Sequence, residues 1–265
     1  MRSLRVTVFT LALLPLGCES SSPPPPPARS ASVPVPRSPD PAPPAPAPAP
    51  VPAPAAPTPA SAAVPGSPCH VALIGDSLTD FTSHGGAFVR YLEARCPRSQ
   101  FENFAKGGAM VNQMRKKLLA SVLPEATVPF SHVLVFGGVN DLYSDETAGR
   151  TVAKIEGDLT AMYAAAKAHG ARVVALTVAP WGGFTRYFTP HRADTTRELN
   201  TWILAQRAAG TVDATADAWS LLSCGDADRL CERYENARSD GLHFGKAGHE
   251  VLGQALYDAE FRECP

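Results

Sequence analysis

Residues 70–80 read HVALIGDSLTD, a short apolar run followed at once by glycine and polar side chains. The run from His70 to Gly75 has the length and composition of a strand that is buried on both faces. Similar apolar runs occur at Phe101 to Phe104, Ser131 to Gly138, Arg172 to Val178 and Val212 to Ala216. Strands of this kind belong to parallel sheets covered by helices on both sides. The opening stretch therefore predicts an α/β fold.

Stretches with apolar side chains at helical spacing lie between and after these runs. They cover Ala87 to Ala94, Val111 to Val122, Thr151 to His169, Arg192 to Ala209 and Lys246 to Phe261. Alternating strands and helices predict right-handed crossovers. We therefore expect a three-layer α/β/α sandwich around a mostly parallel five-stranded sheet. In such a sheet, polar side chains that follow the strands gather at the carboxyl edge.

The first 18 residues have the layout of an export signal. A basic start is followed by an apolar run that is too short to span a bilayer, and then by Gly17-Cys18. This order resembles a bacterial lipoprotein signal, which implies that Cys18 carries lipid. Cleavage nearby without lipid is the alternative.

Residues 19–68 are rich in proline and alanine, and twenty of the chain's 27 prolines lie between Pro23 and Pro68. Because proline fixes φ and removes a backbone donor, we expect a disordered linker that extends about 3.1 Å per residue. Residues 69–265 have the size of one globular domain. The chain is thus predicted to carry a single domain on a long spacer that can reach into a cell-wall layer.

The charges of the chain are balanced, with 24 Lys+Arg against 25 Asp+Glu. Binding to nucleic acid needs a concentrated basic surface, so this composition gives no reason to expect a nucleic-acid partner. The sequence contains no HExxH pair, no Cys-x-x-Cys pair and no GxxxxGK loop. We therefore expect no metal and no other cofactor.

Four polar motifs follow predicted strands or precede the last helix. They are Gly75-Asp76-Ser77-Leu78-Thr79-Asp80, Asn103-Phe104-Ala105-Lys106-Gly107-Gly108, Gly137-Gly138-Val139-Asn140-Asp141 and Asp240-Gly241-Leu242-His243. A serine becomes a good nucleophile when a histidine takes its proton and a carboxylate orients that histidine. Backbone amides and an asparagine can stabilise the oxyanion that forms. We expect Ser77, Asp240 and His243 to meet at one edge of the sheet.

These motifs resemble the SGNH (GDSL-type) hydrolase family from Val71 to about Gly253. GDSLTD is similar to the first block of the family, which implies Ser77 as the nucleophile. DGLH is similar to the last block, which implies Asp240 and His243 as its partners. The resemblance also implies a flavodoxin-like arrangement of the sheet.

The same resemblance implies three oxyanion donors. GVND is similar to the third block, which implies the Asn140 side chain, and the backbone amide of Ser77 is the second donor. Asn103 and Gly108 keep the spacing of the second block, which implies the Gly108 amide. Gly107 stands where serine is frequent and remains a rival for this role. Taken singly, each motif also fits a plain turn or a helix cap; their occurrence together in this order favours catalysis.

The other histidines are not expected to be catalytic. His249 lies on the predicted last helix, and His191 precedes an aspartate in the wrong order for the motif. His84 is a candidate for lining the cleft. Trp181, in the loop from Ala179 to Pro190, either shapes the substrate site or packs as a lid residue.

Cys224 and Cys231 lie in the loop that leads to Asp240, and export makes disulfides favourable. We expect these two cysteines to pair and to stiffen the segment that carries Asp240 and His243.

Three further cysteines are predicted at the amino edge of the sheet: Cys69 at the start of the first strand, Cys96 at the end of the first helix and Cys264 after the last helix. Two of them are expected to bond, with Cys69–Cys96 as the preferred pair. One thiol would then remain.

Together these observations predict an exported serine esterase, periplasmic or at the cell surface, that hydrolyses carboxylic esters. The reach of the spacer favours O-acetyl groups on carbohydrate or cell-wall polymers, so the partner is a small-molecule or polysaccharide ester. Membrane contact is expected only through the lipid anchor, and we expect a monomer. Two alternatives stay open: an acyltransferase with the same residues, and a non-catalytic wall-binding lipoprotein.

Overall fold

The computed structural model describes residues 66–83 and 85–265, and a five-stranded sheet lies at its centre. The strands are β1 (His70–Gly75), β2 (Gln100–Asn103), β3 (His132–Phe136), β4 (Arg172–Leu176) and β5 (Ala214–Ala216). Their order is β2-β1-β3-β4-β5, and every neighbouring pair is parallel. The predicted α/β fold is confirmed. The predicted signal with Cys18, nearly all of the predicted linker and His84 lie outside the described residues.

Helices cover both faces of this sheet. They are α1 (Ala87–Arg95), α2 (Val111–Lys117), α3 (Val139–Tyr143), α4 (Asp145–Ala148), α5 (Val152–Ala168), α6 (Pro190–Ala208), α7 (Ala218–Leu222) and α8 (Lys246–Leu256). Wider π-helical turns extend α2 over Leu118–Val122 and α8 over Tyr257–Phe261. Within the described part of the chain, no helix has the length and apolar character needed to cross a bilayer.

The side chains of β1 show why the sheet has two cores. Ala72 and Ile74 pack on the face that carries α2, α5 and α6, whereas Val71 and Leu73 pack on the face that carries α1 and α8. All four are almost completely buried. Full burial of a valine, leucine or isoleucine side chain contributes about 1.5–3 kcal/mol. The continuous apolar run, rather than an alternating one, therefore fits β1 to an interior position in the sheet, between β2 and β3.

The strand order creates a crevice at one edge of the sheet. β1 pairs with β2 on one side and with β3 on the other, so the chain leaves β1 and β3 in opposite directions. Loops that diverge in this way leave space between them at the carboxyl ends of the strands. Ser77 follows β1 and Asn140 follows β3, so both lie beside this crevice.

A hairpin that the sequence did not predict lies ahead of the last helix. Ser223–Cys224 (β6) pairs antiparallel with Asp226–Leu230 (β7). The structure joins Cys224 to Cys231 across this hairpin, with a Cα–Cα distance of 5.0 Å.

The preferred Cys69–Cys96 disulfide is wrong. Cys69 is joined to Cys264, and their Cα atoms are 5.5 Å apart. The chain returns after α8 to the start of β1, whereas the Cys96 thiol is buried against the backbone oxygen of Phe261. Cys264 pairs with Cys69 because the C-terminal segment lies beside the start of β1. The alternation of strands and helices in the sequence does not predict this path of the chain. His132 lies close to Cys69 and Cys264, but the two sulfurs are bonded to each other.

Candidate active site

Ser77 lies on a tight turn directly after β1. Oδ1 of the Asp76 side chain accepts a hydrogen bond from the amide of Leu78 at 2.9 Å, and the Asp76 backbone carbonyl accepts one from the amide of Asp80 at 2.9 Å. These bonds close the turn around Ser77. Gly75 is required just before it, because a Cβ at that position would lie 2.5 Å from Oγ1 of Thr79. The Ser77 hydroxyl is consequently held at the mouth of the crevice.

His243 bridges Ser77 and Asp240. Its Nε2 is 2.8 Å from the Ser77 hydroxyl, and its Nδ1 is 2.9 Å from Oδ2 of Asp240. Burial raises the pKa of the Asp240 carboxyl, but hydrogen bonds from the amides of His243 and Leu242 and from the His243 ring outweigh burial. The pKa of Asp240 therefore lies below its usual range, and the carboxylate is ionised next to the imidazole at neutral pH.

The turn that carries Asp240 and His243 packs backbone to backbone against a neighbouring loop. Gly241 has a φ of +72°, and a Cβ there would lie 2.1 Å from the carbonyl carbon of Gly183. The same loop is tied to the β6–β7 hairpin, since the amide of Gly182 donates to the carbonyl of Asp228. Two glycines in contact thus bring the hairpin, the loop and the Asp240–His243 turn together.

The backbone amides near Ser77 distinguish Gly108 from Gly107. The Gly107 amide donates to Oδ2 of Asp80 at 2.8 Å and is already occupied. Within the described residues, the amides of Gly108 and Ser77 have no hydrogen-bond acceptor. Gly108 has a φ of +75°, which favours glycine. The geometry therefore favours Gly108 over Gly107 as an oxyanion donor.

Asn140 lines the same cleft as Ser77, Gly108 and His243. Its side-chain Nδ2 donates to the carbonyl of Ala109 at 3.1 Å, which fixes the amide group and leaves a second N–H for a ligand. The arrangement thus provides three unoccupied N–H donors beside one hydroxyl.

Next to the Gly107 amide lies the carboxylate of Asp80, which accepts four hydrogen bonds from three residues. Burial raises the pKa of Asp80, but hydrogen bonds from Thr82, Gly107 and Ser83 lower it to about 2. Asp80 is ionised and anchors the loop that contains Gly107 and Gly108.

The cleft at Ser77 has a volume of about 510 Å³, and aromatic and apolar side chains form much of its wall. These include Tyr143, Phe184 and Leu242. Trp181 also contributes to this wall, yet its side chain is fully buried. Its Nε1 donates to Thr196 at 3.0 Å, and its ring packs edge-on against Phe188. Trp181 is thus a packed residue behind the cleft rather than an exposed contact.

A buried charged network below the site was not found from the sequence. Arg150 donates to Asp141 at 2.7 Å and to Asp158 at 2.6 Å, and Asp141 accepts from the amide of Val111. This network connects α3, which follows β3, with α2 and α5. Asp141 belongs to a quoted motif, but nothing in the sequence identifies Arg150 and Asp158 as its partners.

Two other histidines, His249 and His191, do not contact Ser77. His249 packs between Phe88 and Phe244, and burial, with a smaller effect of the nearby His243, lowers its pKa to about 4. It is a neutral core residue. His191 is exposed on α6 and is 3.8 Å from Asp145. Neither contacts Ser77.

Comparisons with known proteins agree with this fold. The model of the GDSL-like Lipase/Acylhydrolase family matches residues 73–251. A lipase/acylhydrolase from Enterococcus faecalis is 21% identical, covers 72% of this chain and 94% of its own, and superposes with a TM-score of 0.58. A GDSL-like lipase from Bacteroides thetaiotaomicron is 18% identical, with 71% and 86% covered and a TM-score of 0.56.

A third solved structure is a mutant of an acetyl-xylooligosaccharide esterase from Geobacillus. It is 18% identical, covers 73% of this chain and 94% of its own, and has a TM-score of 0.55. At these identities the solved structures show a shared fold. No curated protein matches the chain.

The parallel sheet and the family match define the class: the protein is an ester-hydrolysing enzyme. More particularly, the chain belongs to the GDSL-like lipase/acylhydrolase family, whose model covers most of the described domain.

Proposed function

We propose that the protein is an exported serine esterase in which Ser77 is the nucleophile, His243 the general base and Asp240 the residue that orients His243. One observation carries this proposal: the hydrogen-bonded series from Asp240 through His243 to the Ser77 hydroxyl, with distances of 2.9 and 2.8 Å. Both distances lie within the range for proton transfer between positioned groups.

In the first half of the reaction, Nε2 of His243 takes the Ser77 proton while the serine oxygen attacks the ester carbonyl. The carbonyl oxygen becomes an oxyanion, which accepts hydrogen bonds from the amides of Ser77 and Gly108 and from the Asn140 side chain. When the tetrahedral intermediate collapses, His243 gives its proton to the departing alcohol. An acyl-serine remains.

In the second half, a water molecule takes the place of the alcohol. His243 removes one proton from this water, and the resulting hydroxyl attacks the acyl-serine. The oxyanion forms at the same donors, and the proton then returns from His243 to Ser77 as the carboxylic acid leaves. The carboxylate of Asp240 stabilises the imidazolium in both halves.

O-acetyl groups on carbohydrate are the proposed substrates. One similar structure is that of an acetyl-xylooligosaccharide esterase, which supports an acetyl ester of a sugar. The proline-rich segment before residue 69 supports a domain that acts at a distance from a membrane. Export and lipidation at Cys18 belong to the same proposal, and Cys18→Ser is expected to move the protein out of the membrane fraction.

The proposal is tested by hydrolysis of p-nitrophenyl acetate by the wild type, Ser77→Ala and the matched control Ser121→Ala. Ser121 lies on the turn after α2 and bonds to the carbonyl of Lys117. Ser77→Ala is expected to lose activity and Ser121→Ala to keep it; retained activity in Ser77→Ala overturns the proposal. Product analysis with a sugar acceptor separates hydrolysis from acyl transfer, since a transferase would form the acylated sugar.

A further inference from the structure

A second cleft, of about 450 Å³, adjoins the one at Ser77, and the two share Gly107 and Gly108 in their walls. We name it the lysine cleft; apolar residues form part of its wall, and its polar and aromatic lining includes Phe104, Lys106, Gln113 and Lys117. A carbonyl bound at the Gly108 amide would lie where the two clefts adjoin. A substrate held there can therefore extend into the lysine cleft.

The two lysines enter this cleft from different elements. Lys106 lies on the loop after β2, and Lys117 ends α2. The Lys117 ammonium donates to the carbonyl of Phe104 at 2.8 Å and is 5.8 Å from the centre of the Phe104 ring. These contacts fix its position. Within the described part of the chain, neither lysine forms an ion pair with a carboxylate, so both charges remain available.

Gln113 adds a neutral donor to the same wall. Its side-chain oxygen accepts from the amide of Met110 at 3.0 Å, which orients the amide group. The nitrogen of this amide group has no acceptor among the residues that the structure describes. An ordered N–H donor in the same cleft wall as two ammonium groups is suited to oxygen atoms that carry negative charge.

The cleft at Ser77 also carries positive charge in its wall. Arg238 lies in its wall, and neither cleft has an aspartate or glutamate side chain in its lining. The nearby carboxylate of Asp80 keeps its negative charge, but it faces Thr82, Ser83 and Gly107, from which it accepts hydrogen bonds, and it lines neither cleft. The whole chain carries a formal net charge of -1, so the positive side chains in these walls do not reflect an overall excess of basic residues.

We propose that the lysine cleft binds an anionic group, a carboxylate or a phosphate, on the ester that Ser77 attacks. This inference rests on the proposed esterase function and narrows the substrates to esters of acidic saccharides or other anionic alcohols. Two ammonium groups bind such oxygens through charge-assisted hydrogen bonds. They also raise the rate at which an anionic substrate reaches the cleft.

The test compares two acetate esters of the same shape, 4-acetoxybenzoate and 4-acetoxybenzamide. The wild type is expected to show a higher kcat/KM for the anionic ester, with a preference that disappears at about 1 M NaCl, where the Debye length is about 3 Å. Lys106→Gln and Lys117→Gln should each lower the ratio of the two kcat/KM values about threefold, and the double variant about tenfold. Lys116→Gln, on the same helix but outside the cleft lining, is the matched control.

An unchanged ratio in the double variant overturns this inference, as does an equal fall in Lys116→Gln. If Lys117→Gln unfolds the loop because it loses the contact with Phe104, Lys106→Gln still tests the inference by itself, since Lys106 does not make that contact. Loss of hydrolysis of both esters in the wild type would instead contradict the esterase function itself. Competition by glucuronate and by inorganic phosphate against 4-acetoxybenzamide then distinguishes the two anions, and inhibition by neither contradicts the anionic site.

Discussion

The carboxylate of Asp240 holds both the ring and the backbone of His243. Oδ2 is 2.9 Å from Nδ1 of the imidazole, and Oδ1 accepts the amide N–H of His243 at 2.8 Å. Oδ1 also accepts the amide of Leu242 at 3.0 Å. The carboxylate thereby places the proton of the neutral ring on Nδ1 and leaves Nε2 free to accept the proton of Ser77.

Asp240→Asn is expected to lower kcat on p-nitrophenyl acetate by about 10³- to 10⁴-fold while the domain stays folded. The asparagine oxygen can still accept the two backbone amides, but its NH₂ group then faces Nδ1 and favours the wrong tautomer. Steady-state kinetics with thermal unfolding checks this result. A loss of less than tenfold in a folded variant would rule out the proposed role of Asp240.

Gly108→Ala and Gly210→Ala form a matched pair. Both glycines have positive φ, +75° and +73°, and a Cβ at either position would meet no atom within 4 Å. Each alanine should therefore cost about 1–2 kcal/mol of backbone strain. Only Gly108 lies beside Ser77, so Gly108→Ala alone is expected to lower kcat/KM, by about 10- to 100-fold. Equal activity of the two variants would contradict the oxyanion role.

The two disulfides are expected to differ in their effect on stability. Cys69–Cys264 closes a separation of 195 residues and Cys224–Cys231 one of 7. By loop entropy, their removal costs about 5 and about 2.5 kcal/mol. Replacing each pair by serine, in a background with Cys96→Ser, and measuring urea unfolding checks the order. A larger loss from the short loop would contradict it.

Asp76 makes stability depend on pH. Burial is the main cause that raises its pKa from 3.8 to about 7, with a smaller contribution from Asp141. The folded state therefore binds this proton more tightly than the unfolded state does. The resulting stabilisation is complete below about pH 4 and is lost as pH rises towards 7.

Asp76→Asn, which stays neutral, removes this pH dependence. The free energy of unfolding of the variant minus that of the wild type should increase between about pH 4 and 7, by on the order of 4 kcal/mol, and then level off. Urea titrations at several pH values measure the difference. A constant difference across this range would show that Asp76 is ionised in the folded protein.

The main elements of the fold could be predicted because the signals are local. The run HVALIG predicts β1 by itself, and the helical spacing from Thr151 to His169 predicts α5 to within one residue at each end. The short helix α3 and the β6–β7 hairpin were missed, since they contain few residues and no periodic apolar pattern. Their form depends on packing against the sheet and on the Cys224–Cys231 bond.

Contacts between residues that lie far apart in the sequence could not be predicted from local sequence patterns. Strand–helix alternation places three cysteines at one edge, but only the path of the chain after α8 shows that Cys264, and not Cys96, reaches Cys69. The burial of Trp181 depends on Thr196 and Phe188 across the loop and α6. Likewise, the choice of Gly108 over Gly107 rests on the side chain of Asp80.

The most direct test of the central claim is to treat the folded protein with a fluorophosphonate and to locate the adduct by mass spectrometry. We expect one adduct on the Ser77 oxygen, formed much more slowly in His243→Ala because the hydroxyl then lacks its base. An adduct at another residue, or none on a protein that still hydrolyses p-nitrophenyl acetate, would contradict it.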